Sequence, residues 1–200
     1  VAGGIEAGIW GDVVQAVVLW VGGILCFFYV ISQLPGGISE VVAVGRENGK
    51  FHMGELSCSL GERTFLSVVL LGIFNWLGLY SSDQTFVQRY AASKSTTAAR
   101  NATLLYSFIA APTWTFFFLL GTAIFVYFSV LPDPAVTQLD ADDVLPYFIL
   151  TRVPAGLAGL IIAAVLAAAM SSLDSSINSL ATTTVVDLLK PYLARGRDDR

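Results

Sequence analysis

The chain has 200 residues, of which 55% are apolar and only 13% are charged, and its formal net charge is −4. Soluble domains carry roughly a quarter charged residues, so this composition, with a mean hydropathy of +0.70, indicates a polytopic membrane protein. It excludes a disordered chain, a nucleic-acid-binding protein and a secreted scaffold held by disulfides. The single histidine, His52, argues against imidazole chemistry.

Four apolar segments are each long enough to cross a bilayer as a helix, since a span needs about 20 apolar residues. In chain order they cover approximately residues 8–33, 63–88, 100–131 and 154–189. A bilayer has no water to bond unpaired backbone groups, which excludes an open sheet and favours helices. We therefore expect an all-α integral membrane fold with four transmembrane helices, in which residues 1–200 form a single membrane region excerpted from a longer protein.

Basic residues indicate the orientation of these helices. Seven of the 11 Lys and Arg residues lie in the connection after the second span or in the C-terminal tail, and four lie among eight acids in the remaining connections. Because cytoplasmic loops carry an excess of Lys and Arg, we expect both chain ends and the loop 89–100 to face the cytoplasm.

The first span begins with an acidic residue, Asp12. A charge inside a membrane segment costs at least a few kcal/mol and is by default a functional hypothesis. The alternative is a structural role, because an acid in the first turn of a helix is stabilised by the helix dipole.

The second span ends in a polar stretch, residues 75–84, whose glycine, asparagine and paired serines favour a locally unwound helix of the kind that binds substrate in secondary transporters. A packing or lipid-facing role is an equal alternative for its aromatic rings. Asp83 and Gln84 are also placed to pair with Arg89 in a purely structural contact. The substrate candidates in this stretch are Phe74, Asn75, Trp76 and Tyr80.

The fourth span carries small and hydroxyl side chains within about 40° of one line on a helix: Ala168, Ser171, Ser172, Ser175, Ser179 and Thr182. Asp174 flanks this stripe. Ser171 to Ser175 lie roughly 26 to 32 Å from the outer end of the helix, a depth similar to that of Asp12. We therefore expect Asp12 and the serines to share one ion or proton site, although small residues also serve close helix packing and hydroxyls also bond to their own backbone.

Three stretches together resemble the sodium:solute symporter family: residues 3–15, residues 83–94, and residues 154–159 continued by 167–179. They match in order and spacing, so the resemblance covers nearly the whole chain. It implies an inverted-repeat (LeuT-like) transporter core, of which this chain supplies core helices five to eight. Residues 87–90, 112–114 and 145–148 are most similar to the bacterial sialic acid branch of the family.

The resemblance also implies ion sites. Ala168, through its carbonyl, Ser171 and Ser172 correspond to the sodium site shared across the fold. Asp12 corresponds to a family acid that acts with the hydroxyls of Ser171 and Ser175 at a second sodium or proton site. Asp174 stands where similar two-sodium members have serine, and its carboxylate would strengthen that second site or carry a proton.

The expected function is sodium-coupled symport of a small organic solute such as a sugar, a sialic acid or an organic anion, with Na⁺ as the coupling ion and no catalytic residues. Beyond the solute and sodium, the expected partners are the lipid bilayer and the remaining helices of the full-length transporter, with no nucleic acid. The expected location is multi-pass in a bacterial inner membrane. Two alternatives remain open, a solute-sensing module of a signalling protein and a four-helix scaffold without an ion site.

Overall fold

Helices account for the regular structure in the part of the chain described by the computed structural model, which covers residues 4–52, 54, 55, 57 and 64–193. The α-helices in these residues are α1 (Gly4–Gln33), α2 (Gly37–Glu47), α3 (Phe65–Ser82), α4 (Gln84–Ala91), α5 (Thr96–Val130), α6 (Val144–Arg152), α7 (Ala155–Thr183) and α8 (Lys190–Leu193). A π-helical segment, Thr184–Leu189, joins α7 to α8, and two short 3₁₀ turns precede α6.

Four helical segments are long and apolar enough to cross a membrane: Gly8–Gln33, Phe65–Ser82, Thr96–Val130 and Ala155–Leu189. At 1.5 Å per residue, even the shortest of them, with 18 residues, is about 27 Å long, close to the thickness of a hydrocarbon core. The expected all-α fold with four transmembrane helices is confirmed. Arg63 and the arginines at 195, 197 and 200, on which the predicted orientation partly depends, lie outside the described residues.

The start of α3 is fixed by a reciprocal cap. The hydroxyl of Thr64 accepts a hydrogen bond from the backbone N–H of Ser67 at 3.3 Å, and the Ser67 hydroxyl accepts one from the N–H of Thr64 at 3.0 Å. Both residues are buried. The cap satisfies backbone donors that the first turn of a helix leaves without partners.

The second span is interrupted at one residue, Asp83, rather than unwound over several. α3 runs unbroken through Ser82, whose hydroxyl donates to the carbonyl of Gly78 at 2.7 Å. Asp83 then adopts an extended backbone, and its carboxylate accepts from the N–H of Thr85 at 2.8 Å, which caps α4. The predicted 63–88 span is thus two helices joined at an aspartate.

The described chain forms two compact units. One unit consists of Val13–Met53 and Leu105–Ala169, and it contains all the buried apolar side chains of the described residues. The largest fully buried ones are Phe148, Val30, Val41, Val126 and Cys26. They come from α1, α2, α5 and α6, and α7 adds Ala158 and Ile161 to the same apolar core.

Close helix packing within this unit depends on small residues of α1 and α7. A Cβ atom on Gly22 would lie 2.4 Å from the Cβ of Ala164, a distance that real atoms do not tolerate. Small residues at such positions let membrane helices approach each other closely. Gly22 and Ala164 therefore determine how near α1 lies to α7.

The connection between α5 and α6 is held by a polar cluster around Asp133, in the same unit. The Asp133 carboxylate accepts from the N–H of Ala135 at 3.0 Å, from the Tyr147 hydroxyl at 2.8 Å and from the guanidinium of Arg152. The backbone bond from Ala135, followed by the hydroxyl of Tyr147 and the charge of Arg152, lowers the pKa of Asp133. The carbonyl of Arg152 in turn accepts from the Tyr29 hydroxyl at 2.6 Å, which ties this cluster to the end of α1.

The other unit consists of Val1–Asp12, Gly54–Leu104 and Met170–Arg200. Its described helical parts are the first residues of α1, all of α3 and α4, the start of α5, the second half of α7, the π-helical segment and α8. Large apolar side chains are widely exposed along α3, including Phe74 at 71% and Leu71 at 69%. The side chains expected to bind an ion lie mainly in this unit.

Candidate cation-binding site

A polar cluster centred on Asp12 joins α1, α4 and α7. The Asp12 carboxylate accepts a hydrogen bond from the Ser171 hydroxyl at 2.5 Å through one oxygen and from the Arg89 guanidinium at 2.6 Å through the other. The same Arg89 nitrogen lies 3.3 Å from the hydroxyl oxygen of Ser175. The Asp12 side chain is 21% exposed and that of Arg89 is 41% exposed. We call Asp12, Arg89, Ser171 and Ser175 the Asp12 cluster.

Helix periodicity explains why α7 contributes two serines to this cluster. Ser171 and Ser175 are four residues apart, so their side chains lie one turn apart on the same face of α7. Asn178 continues this face by one more turn, and its side-chain amide donates to the amide oxygen of Gln88 at 2.9 Å. Two consecutive residues of α4, Gln88 and Arg89, therefore bond to the same face of α7.

Of the serines predicted to lie near Asp12, Ser171 contacts it directly, and the shared ion site stays a prediction. Asp12 and Ser171 are 159 residues apart in the sequence, and their similar depth in the membrane is what predicts that they lie close together. The alternative role for Asp12, as a first-turn helix acid, does not match its position, because α1 begins eight residues earlier, at Gly4. Its carboxylate is instead held by groups from two other helices.

The other predicted ligands of the shared sodium site lie on α7. Ala168 precedes Ser171 by three residues, and Ser172 follows Ala168 by four, so both are in helical register with the Asp12 cluster on one continuous helix. The carbonyl of Ser172 accepts from the Ser176 hydroxyl at 2.8 Å, the intrahelical bond expected of serine in an apolar helix.

Asp174 is not part of the Asp12 cluster. Its side chain is exposed on α7, and none of its described contacts reaches Asp12, Ser171 or Ser175. On a helix it lies about 60° from Ser171 and about 100° from Ser175. This angle turns its carboxylate away from the face that bonds to α1 and α4.

The structure groups only some of the substrate candidates of α3. The rings of Trp76 and Tyr80, one turn apart, have centroids 5.8 Å from each other, and Tyr80 packs on Phe86 of α4 with centroids 4.7 Å apart. Phe74 lies about 200° from Trp76 around the helix and does not join these rings. Asn75 is exposed on α3.

The residue that sequence reasoning missed is Arg89. Its expected partners were Asp83 and Gln84, but Asp83 caps α4 and the carboxylate bonded to Arg89 is that of Asp12, 77 residues away. The sequence does contain a signal for such a partner: the connection 89–100 has three basic residues and no acid. A base at the end of a membrane span without a nearby acid needs a partner from elsewhere in the fold.

The donor set of the cluster suits a hard monovalent cation. It offers one carboxylate and two hydroxyls, and hard cations prefer such oxygen ligands. Among the described residues there is no group of three or more His, Cys, Asp or Glu side chains that could hold a metal ion. The cluster thus lacks the several carboxylates and the nitrogen or sulfur ligands typical of divalent sites. Its one carboxylate balances a single positive charge, which in this structure is that of Arg89.

The sequence and the fold are similar to those of known transporters. A profile of the sodium:solute symporter family matches residues 1–199. The chain is 35% identical to the Sodium/sialic acid symporter NanT of Aliivibrio fischeri over 93% of its own length and 37% of that protein. It is 32% identical to the human Sodium-coupled monocarboxylate transporter 1 over 95% of its length and 32% of that protein.

A solved structure shares this fold. It is described as a substrate-bound outward-open state of a Na⁺-coupled sialic acid symporter with a novel Na⁺ site, and it superimposes with a TM-score of 0.86 at 32% identity. The match covers 98% of this chain and 41% of that one. This chain thus spans well under half of the length of the curated relatives that it matches.

Proposed function

Because the chain belongs to the sodium:solute symporter family, we propose that it forms part of a membrane transporter that couples sodium entry to the uptake of a small organic solute. The observation that carries this proposal is the Asp12 cluster, in which a carboxylate and two hydroxyls from distant parts of the chain meet beside a membrane-spanning helix. Charged groups at such positions are retained mainly where they serve ion or substrate movement.

Sodium is the proposed co-substrate, and Ser171 is the residue common to both proposed ion sites. Ala168, through its carbonyl, acts with Ser171 and Ser172 at one site. Asp12 and Ser175 act with Ser171 at a second site for sodium or a proton. Asp174 is a peripheral member of the second site, because it lies on the same turn of α7 but on a different face.

Sodium binding would drive transport by shifting a conformational equilibrium. A ligand shifts a two-state equilibrium only by its difference in affinity between the states. An ion that binds oxygens from α1 and α7 at once favours the conformation in which these helices are closest at that point. Alternating access then follows if this conformation is also the one that binds solute.

The proposed solute is a small organic anion, of which a sialic acid is the leading case. Relatives with 35% identity are named as sialic acid symporters and one with 32% identity as a monocarboxylate transporter, so an acidic group is common to their named substrates. Trp76 and Tyr80 supply an aromatic face beside the break at Asp83, where a sugar ring or a carbon chain can pack. Phe74 and Asn75 complete the proposed substrate residues from other faces of α3.

The proposed environment is a bacterial inner membrane, with both ends of this chain in the cytoplasm. The bacterial relatives support the location. The excess of basic residues in the connection 89–100 supports the orientation. The widely exposed apolar side chains of α3 fit contact with lipid or with further helices of the complete transporter.

Uptake measurements with the full-length protein test this proposal. Ser171→Ala and Ser172→Ala should each raise the sodium concentration for half-maximal uptake about tenfold, equivalent to about 1.4 kcal/mol of lost binding free energy. Ser129→Ala is a matched control, because the Ser129 hydroxyl donates to its own helix at 2.8 Å and lies outside the site.

Unchanged sodium dependence in both serine variants would contradict the site. Solute accumulation against its gradient distinguishes a symporter from a sensing module, which binds solute without concentrating it. Uptake that is independent of sodium would contradict the proposed function itself.

A further inference from the structure

Arg89 contacts the same oxygen atoms that the proposed second ion would need as ligands. One of its nitrogens lies 2.6 Å from a carboxylate oxygen of Asp12 and 3.3 Å from the hydroxyl oxygen of Ser175. The remaining carboxylate oxygen of Asp12 accepts from Ser171. Each oxygen group proposed for the second ion, apart from Asp174, is therefore engaged within the Asp12 cluster.

A second positive charge cannot join this cluster without a large cost. Two unit charges a few ångströms apart repel strongly wherever the effective dielectric constant is well below that of water. Asp12 supplies the single negative charge of the cluster and Arg89 already balances it. A sodium ion bound to Asp12 and Ser175 would meet the guanidinium at contact distance, so the two cations exclude each other.

We propose that Arg89 is a tethered cation that competes with sodium for Asp12 and closes the second ion site when sodium is absent. This inference rests on the proposed sodium-coupled function. Arg89 is then a positioning residue of the transport cycle and not an ion ligand. It acts by bonding to the oxygen atoms that would otherwise bind sodium.

The competition couples the ion site to helix α4. Side-chain hydrogen bonds join α4 to α7, from Arg89 to Ser175 and from Asn178 to Gln88. The side-chain nitrogen of Gln88 is buried and has no partner among the described residues, so the contact with Asn178 leaves one donor of Gln88 unsatisfied. Sodium binding at Asp12 would remove the Arg89 contact by displacing the guanidinium, and this would loosen α4 from α7.

Sodium-dependent heat stabilisation of the purified full-length transporter tests the proposal without requiring transport. Arg89→Gln removes the charge but keeps a polar side chain of similar reach. We expect it to lower the sodium concentration for half-maximal stabilisation at least fivefold, because sodium no longer has to displace a cation. Arg100→Gln is the matched control, since Arg100 is an exposed base near the start of α5, and it should leave this concentration unchanged.

Free guanidinium provides a second readout. In Arg89→Ala, millimolar guanidinium chloride should raise the sodium requirement back toward the wild-type value, because it refills the place of the missing side chain. The same addition should have no effect on wild type. A purely structural Arg89 would show no such rescue, so its absence would overturn the proposal.

An unchanged or increased sodium requirement in Arg89→Gln would likewise overturn the competition. A failure of the proposed function is different: wild type itself would then show neither sodium-dependent uptake nor sodium-dependent stabilisation. If the Arg89 variants do not fold, spin labels on exposed positions of α4 and α7 in the otherwise wild-type protein decide the matter. Their distance should increase when sodium is added, and a distance that does not respond would contradict the loosening of α4.

Discussion

At the scale of single residues, the polar side chains of the spans have one of two kinds of partner. Ser82 and Ser176 bond to carbonyls of their own helices, which satisfies the hydroxyl without specifying a function. Asp12 instead bonds to Arg89 and Ser171 from other helices. Local sequence predicts the first kind well. The second kind requires the fold, because the partners of Asp12 lie 77 and 159 residues away.

The Asp133 cluster gives a prediction at this scale. Asp133→Asn should lower the melting temperature of the full-length protein at neutral pH. Because its partners lower the pKa of Asp133 below the ordinary value of 3.8, the stability that it contributes is present above that value. It is lost as the pH falls through the lower folded-state pKa.

Thermal unfolding as a function of pH measures this effect. The difference between wild type and Asp133→Asn should shrink in the acid range and vanish once Asp133 is protonated in the folded protein. Asp140→Asn, in the same connection and without a side-chain bond to the turn that it precedes, should behave like wild type. A difference that is independent of pH would show that the charge of Asp133 does not stabilise the fold.

At the scale of elements, small side chains and caps decide where helices end and how closely they pack. Asp83 divides the second span into α3 and α4, and this break allows Gln88 and Arg89 to approach α7. The sequence predicts an irregular stretch over 75–84 but not its single-residue position. The Asp83 cap is the physical reason, since its carboxylate accepts from the N–H of Thr85, two residues further on, and α4 can start directly after the break.

The contact of Gly22 with Ala164 gives a prediction for helix packing. Gly22→Ala should destabilise the full-length protein by about 1–3 kcal/mol, because the new methyl group would overlap Ala164 and force α1 away from α7. The matched substitution Gly121→Ala has nothing within 4 Å of the new methyl group. It should be neutral or slightly stabilising, since alanine is favoured over glycine in a helix by about 0.5–1 kcal/mol.

Thermal unfolding of the two alanine variants in the same detergent makes this comparison. Equal melting temperatures for Gly22→Ala and Gly121→Ala would mean that the helices adjust without cost. The predicted role of Gly22 in close packing would then be wrong.

At the scale of the whole molecule, the described chain divides its roles between its two units. The unit with α2 and α6 contains all the buried apolar side chains of the described residues, whereas the unit with α3 and α4 contains the Asp12 cluster. Apolar packing stabilises a fixed arrangement of helices. A polar cluster in a unit without buried apolar side chains among the described residues is easier to rearrange, as the proposed competition between Arg89 and sodium would require.

The ratio of sodium to solute belongs to this scale, because it depends on every ion site of the transporter. Asp12→Asn removes the carboxylate of the proposed second site and leaves Ser171 and Ser172 of the first in place. Transport by this variant should be lost or should proceed with fewer coupled cations per solute. Paired isotope fluxes in proteoliposomes measure the ratio, and an unchanged ratio would assign the second ion elsewhere.

The sequence by itself determined the membrane as the medium in which this chain folds and the number of helices in it that are long and apolar enough to cross a bilayer. It also supplied the residue types of the proposed ion site. Length and apolar runs specify membrane helices because an unpaired backbone group has no partner in hydrocarbon. Helix periodicity places the serines of α7 on one face, and membrane depth places Asp12 at the same level as these serines.

Only the tertiary structure decided which groups meet. The sequence pairs Arg89 with its neighbours Asp83 and Gln84, because membrane depth alone does not choose among the several acids at the same level. The fold placed it on Asp12, and it turned Asp174 away from the same cluster. Hydrogen bonds and charge pairing depend on distances of a few ångströms in space, and these distances are fixed by how α1, α4 and α7 pack.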